Sequence, residues 1–192
     1  RLMAERYTHL LLQQDLRDWL RGLGYEPSIE HRFVDGRFDL HVCVDDRAQA
    51  IEIQRSPLSK SAWLERDNRY AAEVDYVTWL WGRERETEAL LSLHSRGVAY
   101  YIDHDQELRT QVTTLVFDGD PGPRELCCLL EECRLDSRGL WTPHRDLADE
   151  AHHALMEEER RLEEERDARK REEANRRLQR EAERRVSGQW ES

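Results

Sequence analysis

The stretch GRFDLHVCVDDRAQAIEIQRS, Gly36–Ser56, decides how this chain folds. Its first half alternates strictly. Phe38, Leu40, Val42 and Val44 fall on one side, and Arg37, Asp39, His41 and Cys43 on the other, which is the period of a strand. The second half places Ile51 and Ile53 on one side and Ala50, Glu52 and Gln54 on the other. Asp45 and Asp46 between them have the length of a two-residue hairpin turn. That turn pairs Val44 with Arg47, so Asp39 faces Glu52, Arg37 faces Gln54, and all four share a face. Directly opposed residues hold their Cβ atoms about 4.5–5.5 Å apart, and two carboxylates so placed repel each other unless a cation lies between them. A hard divalent ion, Mg²⁺ or Mn²⁺, takes such oxygen ligands and polarises a phosphoryl group or orients a water against it. The competing reading is an exposed, acid-bearing sheet face neutralised by Arg37 and His41.

Outward from the hairpin, ERYTHLLLQQDLRDWLRGLGY is an amphipathic helix carried by Leu12, Leu16, Trp19, Leu20 and Leu23, with Gly22 and Gly24 as its stop. EPSIEHRF is a strand. SPLSKSAWLERDNRYAAEV is a helix with Ser56 as N-cap and Pro57 in the first position. YVTWLW and VAYYID are apolar strands, and between them RERETEALLSLHSRG is a helix closed by Gly97. QVTTLVFDGDPGP reads as strand and turn, and RELCCLLEECRL as a short helix. The order α-β-β-β-α-β-α-β predicts an α/β fold around a mixed central sheet, with an N-terminal meander and later parallel strands.

The 192 residues carry a net charge of −11, so the whole molecule's field does not attract phosphate backbones, and a nucleic-acid role needs a local basic patch, bound cations or a partner. Residues 1–143 are read as one domain. Residues 144–192 are read as a long charged helix with a short disordered end, either solvated alone or engaged as a coiled-coil homodimer or with a protein partner. The four cysteines, Cys43, Cys127, Cys128 and Cys133, show no paired metal-ligand spacing and are read as reduced thiols. His152 and His153 are adjacent and so point to different helix faces. No apolar run reaches the length of a membrane span and no signal peptide is visible, which predicts a cytoplasmic protein without a membrane partner. A chain beginning at Arg1 leaves room for an upstream segment.

RFDLHV, the interval from Asp39 to Glu52, IEIQRSPLS, ERDNRY and VTWLW together resemble the nuclease domain of competence protein CoiA-like proteins, within the PD-(D/E)XK nuclease superfamily. The resemblance runs roughly from Glu5 to Trp81. It implies a restriction-endonuclease-like α-β-β-β-α-β core and a Mg²⁺- or Mn²⁺-dependent hydrolysis of DNA phosphodiesters. Asp39 and Glu52 would be the metal ligands, joined by the Ile53 carbonyl and by Glu5 of the first helix, with Glu30 a rival for that extra acid. Gln54 stands where most of the superfamily has lysine and would orient the attacking water. His9, Ser56, Arg66, Arg69 and Tyr70 would contact DNA, although Ser56 as a helix cap and Arg66 packed over Tyr70 are equally structural readings. Glutamine brings hydrogen bonds but no charge, so the alternative is a catalytically degenerate module of the same fold that binds DNA or a recombination or competence protein. CoiA-like proteins often carry a cysteine-rich segment before this domain, and any targeting it provides is expected here to be either absent or trimmed.

Overall fold

The computed structural model describes the backbone of residues 2–117 and 122–188, with side chains from 6 to 117 and from 122 to 180. Its contacts divide the chain into two units, Arg1–His152 and His153–Ser192. Among the described residues, the first unit holds a seven-stranded sheet whose spatial order follows the chain. Strands β1 (Ser28–Phe33), β2 (Gly36–Val44) and β3 (Arg47–Gln54) form an antiparallel meander. Strands β4 (Tyr76–Trp81) and β5 (Ala99–His104) then add in parallel, joined through α2 (Lys60–Ala71) and α3 (Glu86–Arg96). Strands β6 (Thr110–Val116) and β7 (Arg124–Leu129) close the order antiparallel.

The two-residue turn is as the sequence predicts. Asp45 and Asp46 both have positive φ, 49° and 61°, the signature of a type I′ turn whose twist suits the flanking strands. Val44 pairs with Arg47, and the register holds through Leu40 opposite Ile51.

Each face of the sheet buries its own apolar cluster. On one face, Leu12, Leu16 and Leu20 of α1 (Leu2–Gly22) pack on Leu40, Val42, Ile51, Ile53 and Leu80. The small hairpin of β8 (Arg134–Asp136) and β9 (Gly139–Trp141) joins this cluster, as does Ala148 at the start of α4 (Arg145–Gly188). Each fully buried leucine contributes about 1.5–3 kcal/mol, and their i, i+4, i+8 spacing turns α1 toward the sheet. On the other face, Trp63 and Tyr70 of α2 and Ala89 and Leu93 of α3 cover Ala50, Val77, Trp79 and Trp81. Asp67 ties this layer together. It accepts from Trp79 Nε1 at 2.7 Å and pairs with Arg96, whose other arm donates to the Val77 carbonyl at 2.7 Å. Helix α3 stops at Gly97 (φ 75°), where a Cβ would lie 2.5 Å from the His152 ring.

Three expectations are corrected. RELCCLLEECRL is not a helix: it forms β7, a 3₁₀ turn at Leu130–Glu132, and β8. Leu126, Cys128 and Leu130 alternate inward against the free edge of β6, and that edge decides between two periods the short run allows equally. Helix α2 is capped by Ser59, whose hydroxyl accepts from the Ala62 N–H at 3.2 Å, and begins at Lys60. Ser56 is drawn away from capping because both its carbonyl and its hydroxyl accept from Gln54 Nε2, at 2.6 and 2.9 Å. Finally, Phe38 does not share a face with Leu40. It packs against Phe33 and Tyr70 on the α2 side, with ring centroids 4.6 and 4.9 Å away. The alternation of β2 therefore switches faces at Asp39. Opposite it, Glu30 of β1 has φ 53° and the paired residues skip from Ile29–Leu40 to His31–Phe38.

Candidate active site

The switch at Asp39 builds the site. Past Leu40 and Ile51 the backbone ladder between β2 and β3 gives way to side-chain bonds. The Asp39 N–H donates to Glu52 Oε1 at 2.9 Å, and the Ile53 N–H donates to Asp39 Oδ2 at 2.8 Å. Each carboxylate thus takes the place of a missing rung and is fixed by a backbone donor. Hydrogen bonds at these distances are well formed, so both acids are held before anything binds.

The two helical layers hold the acids from opposite sides. From α1, His9 Nε2 lies 3.2 Å and Gln13 Nε2 2.9 Å from Asp39 Oδ1. Gln13 is 2% exposed and also reaches Glu30 Oε1 at 3.3 Å. From α2, Arg66 and Tyr70 face Glu52. The Tyr70 hydroxyl donates to the Arg37 carbonyl at 3.1 Å, and burial raises its pKa, with Glu52 adding to the shift.

Arg37 and His41, which would neutralise an exposed acid-bearing face, are engaged elsewhere. The Arg37 guanidinium pairs with Glu30, not with Gln54 across the ladder. His41 stacks on His31 at 4.2 Å, and burial together with that neighbouring imidazole lowers its pKa. Glu52, 5% exposed, is left without an ion pair within 4 Å among the described residues. Burial first, and the charge of Asp39 second, push its pKa up to about 8. A buried carboxylate beside a second one, both fixed by N–H donors, is a donor set that fits a hard divalent cation. Among the described residues no three His, Cys, Asp or Glu side chains converge to hold a metal. A cation here would complete its shell with the Ile53 carbonyl, water and ligand oxygens.

The acids open onto a cleft of about 700 Å³. Of the residues singled out from sequence, His9, Asp39, Glu52, Ile53, Gln54, Ser56, Arg66, Arg69 and Tyr70 all line it. The Glu5 side chain lies outside the described residues. Three further arginines, Arg6, Arg37 and Arg55, complete the wall. Arg6 and Arg55 went unnoticed in the sequence, as did Gln13. Gln13 had a signal, since it stands one turn after His9 beside the apolar stripe, as did Arg55, which directly follows Gln54. His144 and Trp141, away from this cleft, make contacts within the fold. His144 reaches the Cys127 carbonyl at 3.4 Å, and Arg134 lies 3.7 Å over the Trp141 ring.

Residues 5–114 match the family described as competence protein CoiA, nuclease-like domain. No curated protein and no solved structure matches the chain.

Proposed function

The chain belongs to the family of the competence protein CoiA nuclease-like domain, and from that premise we propose that it hydrolyses DNA phosphodiester bonds with Mg²⁺ or Mn²⁺ held at Asp39 and Glu52. One observation supports this most. From His153 onward, twelve acidic residues stand against eleven basic ones, so the net charge of −11 resides almost wholly in residues 1–152. In that acidic unit, five arginines and two carboxylates line one cleft. Arg37 pairs with Glu30 and Arg55 with Glu84, so the rim's attraction for a polyanion rests on Arg6, Arg66 and Arg69, with a cation met at the floor.

When bound, the ion polarises a phosphoryl oxygen and makes a water nucleophilic near neutral pH. The chain's own groups do the rest. Asp39 and Glu52, each fixed by a backbone N–H, would hold the ion together with the Ile53 carbonyl. His9 and Gln13 hold Asp39 in place. Arg69, Arg6 and Tyr70 along the wall bind the flanking phosphates.

The test is cleavage of labelled duplex, single-stranded and branched DNA, and of RNA, with Mg²⁺ or Mn²⁺. Wild type runs beside Asp39→Asn and Glu52→Gln, each checked for intact fold by circular dichroism. Metal-dependent DNA cleavage lost in both variants is the expected outcome. DNA binding without cleavage in any metal would replace the hydrolase with a binding module of the same fold, the reading that Gln54 in place of lysine favours.

A further inference from the structure

We propose that Arg66 is the catalytic cation of this site and that Gln54, instead of addressing water or substrate, is the positioning residue that aims it. The proposal rests on the hydrolase reading above and assigns the positive charge that reading leaves without an owner.

The hydrogen bonds of Gln54 carry it. This side chain is 6% exposed. Its amide nitrogen donates to the Ser56 carbonyl at 2.6 Å and to the Ser56 hydroxyl at 2.9 Å. Its amide oxygen accepts from Arg66 Nη1 at 3.1 Å. A carboxamide has two N–H groups, and both are engaged. The orientation of the amide is forced by these partners. Flipped, it would set N–H groups against a guanidinium and its oxygen against a carbonyl. Gln54 therefore has no N–H left to stabilise a developing oxyanion.

Arg66 has donors to spare. Among the described residues, Gln54 is the one recorded hydrogen-bond partner of its guanidinium, and no carboxylate lies within 4 Å of it. A guanidinium carries five N–H groups. The remainder face a cleft whose other lining groups include Glu52 and Asp39. The bond to Gln54 tethers one end of the guanidinium on the cleft wall, on a helix whose Trp63 and Tyr70 are buried in the core.

The chemistry that needs this charge is the displacement at phosphorus. The water oxygen bonds to phosphorus, the ester P–O bond breaks, the water proton passes to solvent, and the leaving oxygen takes one up. Negative charge on the non-bridging oxygens must be met throughout. Arginine transfers no proton at ordinary pH, so Arg66 acts by charge and hydrogen bonding alone, as fixed arginine clamps do at transferring phosphoryl groups.

The experiment compares wild type, Arg66→Gln, Arg66→Lys, Gln54→Met and the double variant Arg66→Gln/Gln54→Lys, all shown to be folded by thermal melts. Single-turnover cleavage at saturating DNA is read beside DNA affinity in EDTA. Loss of one such fixed donor lowers rates about 10²–10³-fold, and Arg66→Gln is expected to fall in that range, with Arg66→Lys intermediate. Gln54→Met lowers the rate with KM little changed. The double variant, which moves a positive charge from helix to strand, regains about tenfold or more over Arg66→Gln. Inorganic phosphate binding to the metal-free proteins, by calorimetry, gives a reading independent of turnover: weaker in Arg66→Gln, recovered in the double variant. An Arg66→Gln protein that binds DNA less tightly but cleaves at the wild-type rate when saturated overturns the proposal, as does a double variant with no recovery in either rate or phosphate affinity. Wild type inactive on every substrate and metal is a different result: it removes the hydrolase reading itself, and the catalytic role with it.

Discussion

Glu52 carries the electrostatic tension of the site at the residue scale. Its pKa stands raised from 4.5 to about 8 by burial and by Asp39, so the folded metal-free protein holds a proton that the unfolded chain releases. The sign follows from linkage. The contribution of Glu52 to stability is full below about pH 4.5 and declines as pH rises toward 8. Glu52→Gln removes the titration, so in EDTA its melting temperature should exceed that of wild type by a gap that widens between pH 5 and 9. For a chain of this size each kcal/mol corresponds to about 2–4 °C, and the gap at pH 9 should reach at least that. Added Mg²⁺ should raise wild type and leave Glu52→Gln nearly unmoved. Equal melting curves for the two proteins at every pH would show that the carboxylate is not under strain. Gln13 offers the complementary prediction. Buried and bonded to Asp39 and Glu30, it fixes the direction of a proposed metal ligand. Loss of such an outer partner typically costs about 10–100-fold in metal affinity, and Gln13→Leu should show a loss of that size by titration calorimetry while keeping its circular dichroism spectrum.

At the scale of elements, the hairpin was legible because its chemistry is local. Strict alternation, a two-residue acidic turn and a second alternating run determine the register without outside help, and the observed pairs from Val44–Arg47 to Leu40–Ile51 follow it. The strained part of that element is the turn itself, since two aspartates sit at positive φ. Glycine adopts that region at no steric cost and Asn-Gly is the favoured pair there. Asp45→Asn/Asp46→Gly should therefore stabilise the protein by about 0.5–1 kcal/mol, read as a higher urea midpoint at unchanged slope. What the sequence hid were features decided by distant partners. β7 is a strand because β6 offers it an edge. Ser59 caps α2 because Gln54 occupies Ser56. The switch of faces at Asp39 leaves no mark in the alternation of β2, because Phe38 is apolar and buried on either side; only the conformation of Glu30 and the layer packed below reveal it. The acids of the site were legible by type and spacing, and their holders on α1 and α2 only in part, since Gln13 acquires meaning from bonds to Glu30 and Asp39, 17 and 26 residues away in the chain.

At the scale of the molecule, charge is partitioned in a way that net charge conceals. The unit Arg1–His152 is acidic yet lines its cleft with five arginines, while residues beyond His153 are close to neutral. Those later residues pair with one another along the helix, as in Arg160 with Glu164 at 3.3 Å and Arg176 with Glu172 at 2.5 Å, and apart from the half-buried Leu155 their described side chains are exposed. Such i, i+4 pairs support a solvated helix by about 0.2–0.5 kcal/mol each. Deleting 153–192 should therefore leave the melting temperature of the remainder within about 2 °C and its cleavage rate unchanged. The cleft's salt response is the sharper test of the partition. Each phosphate neutralised by an arginine contributes about −0.9 to the slope of log K against log salt on duplex DNA. Arg6 and Arg69 stand on the cleft wall outside the proposed reaction centre, so each of Arg6→Gln and Arg69→Gln should flatten the slope by about one. Their single-turnover rates at saturating DNA should stay near wild type, whereas Arg66→Gln should depart from wild type chiefly in rate. Slopes in Arg6→Gln and Arg69→Gln equal to that of wild type would mean that DNA does not follow this wall, and its arginines would then need a smaller anion as their ligand.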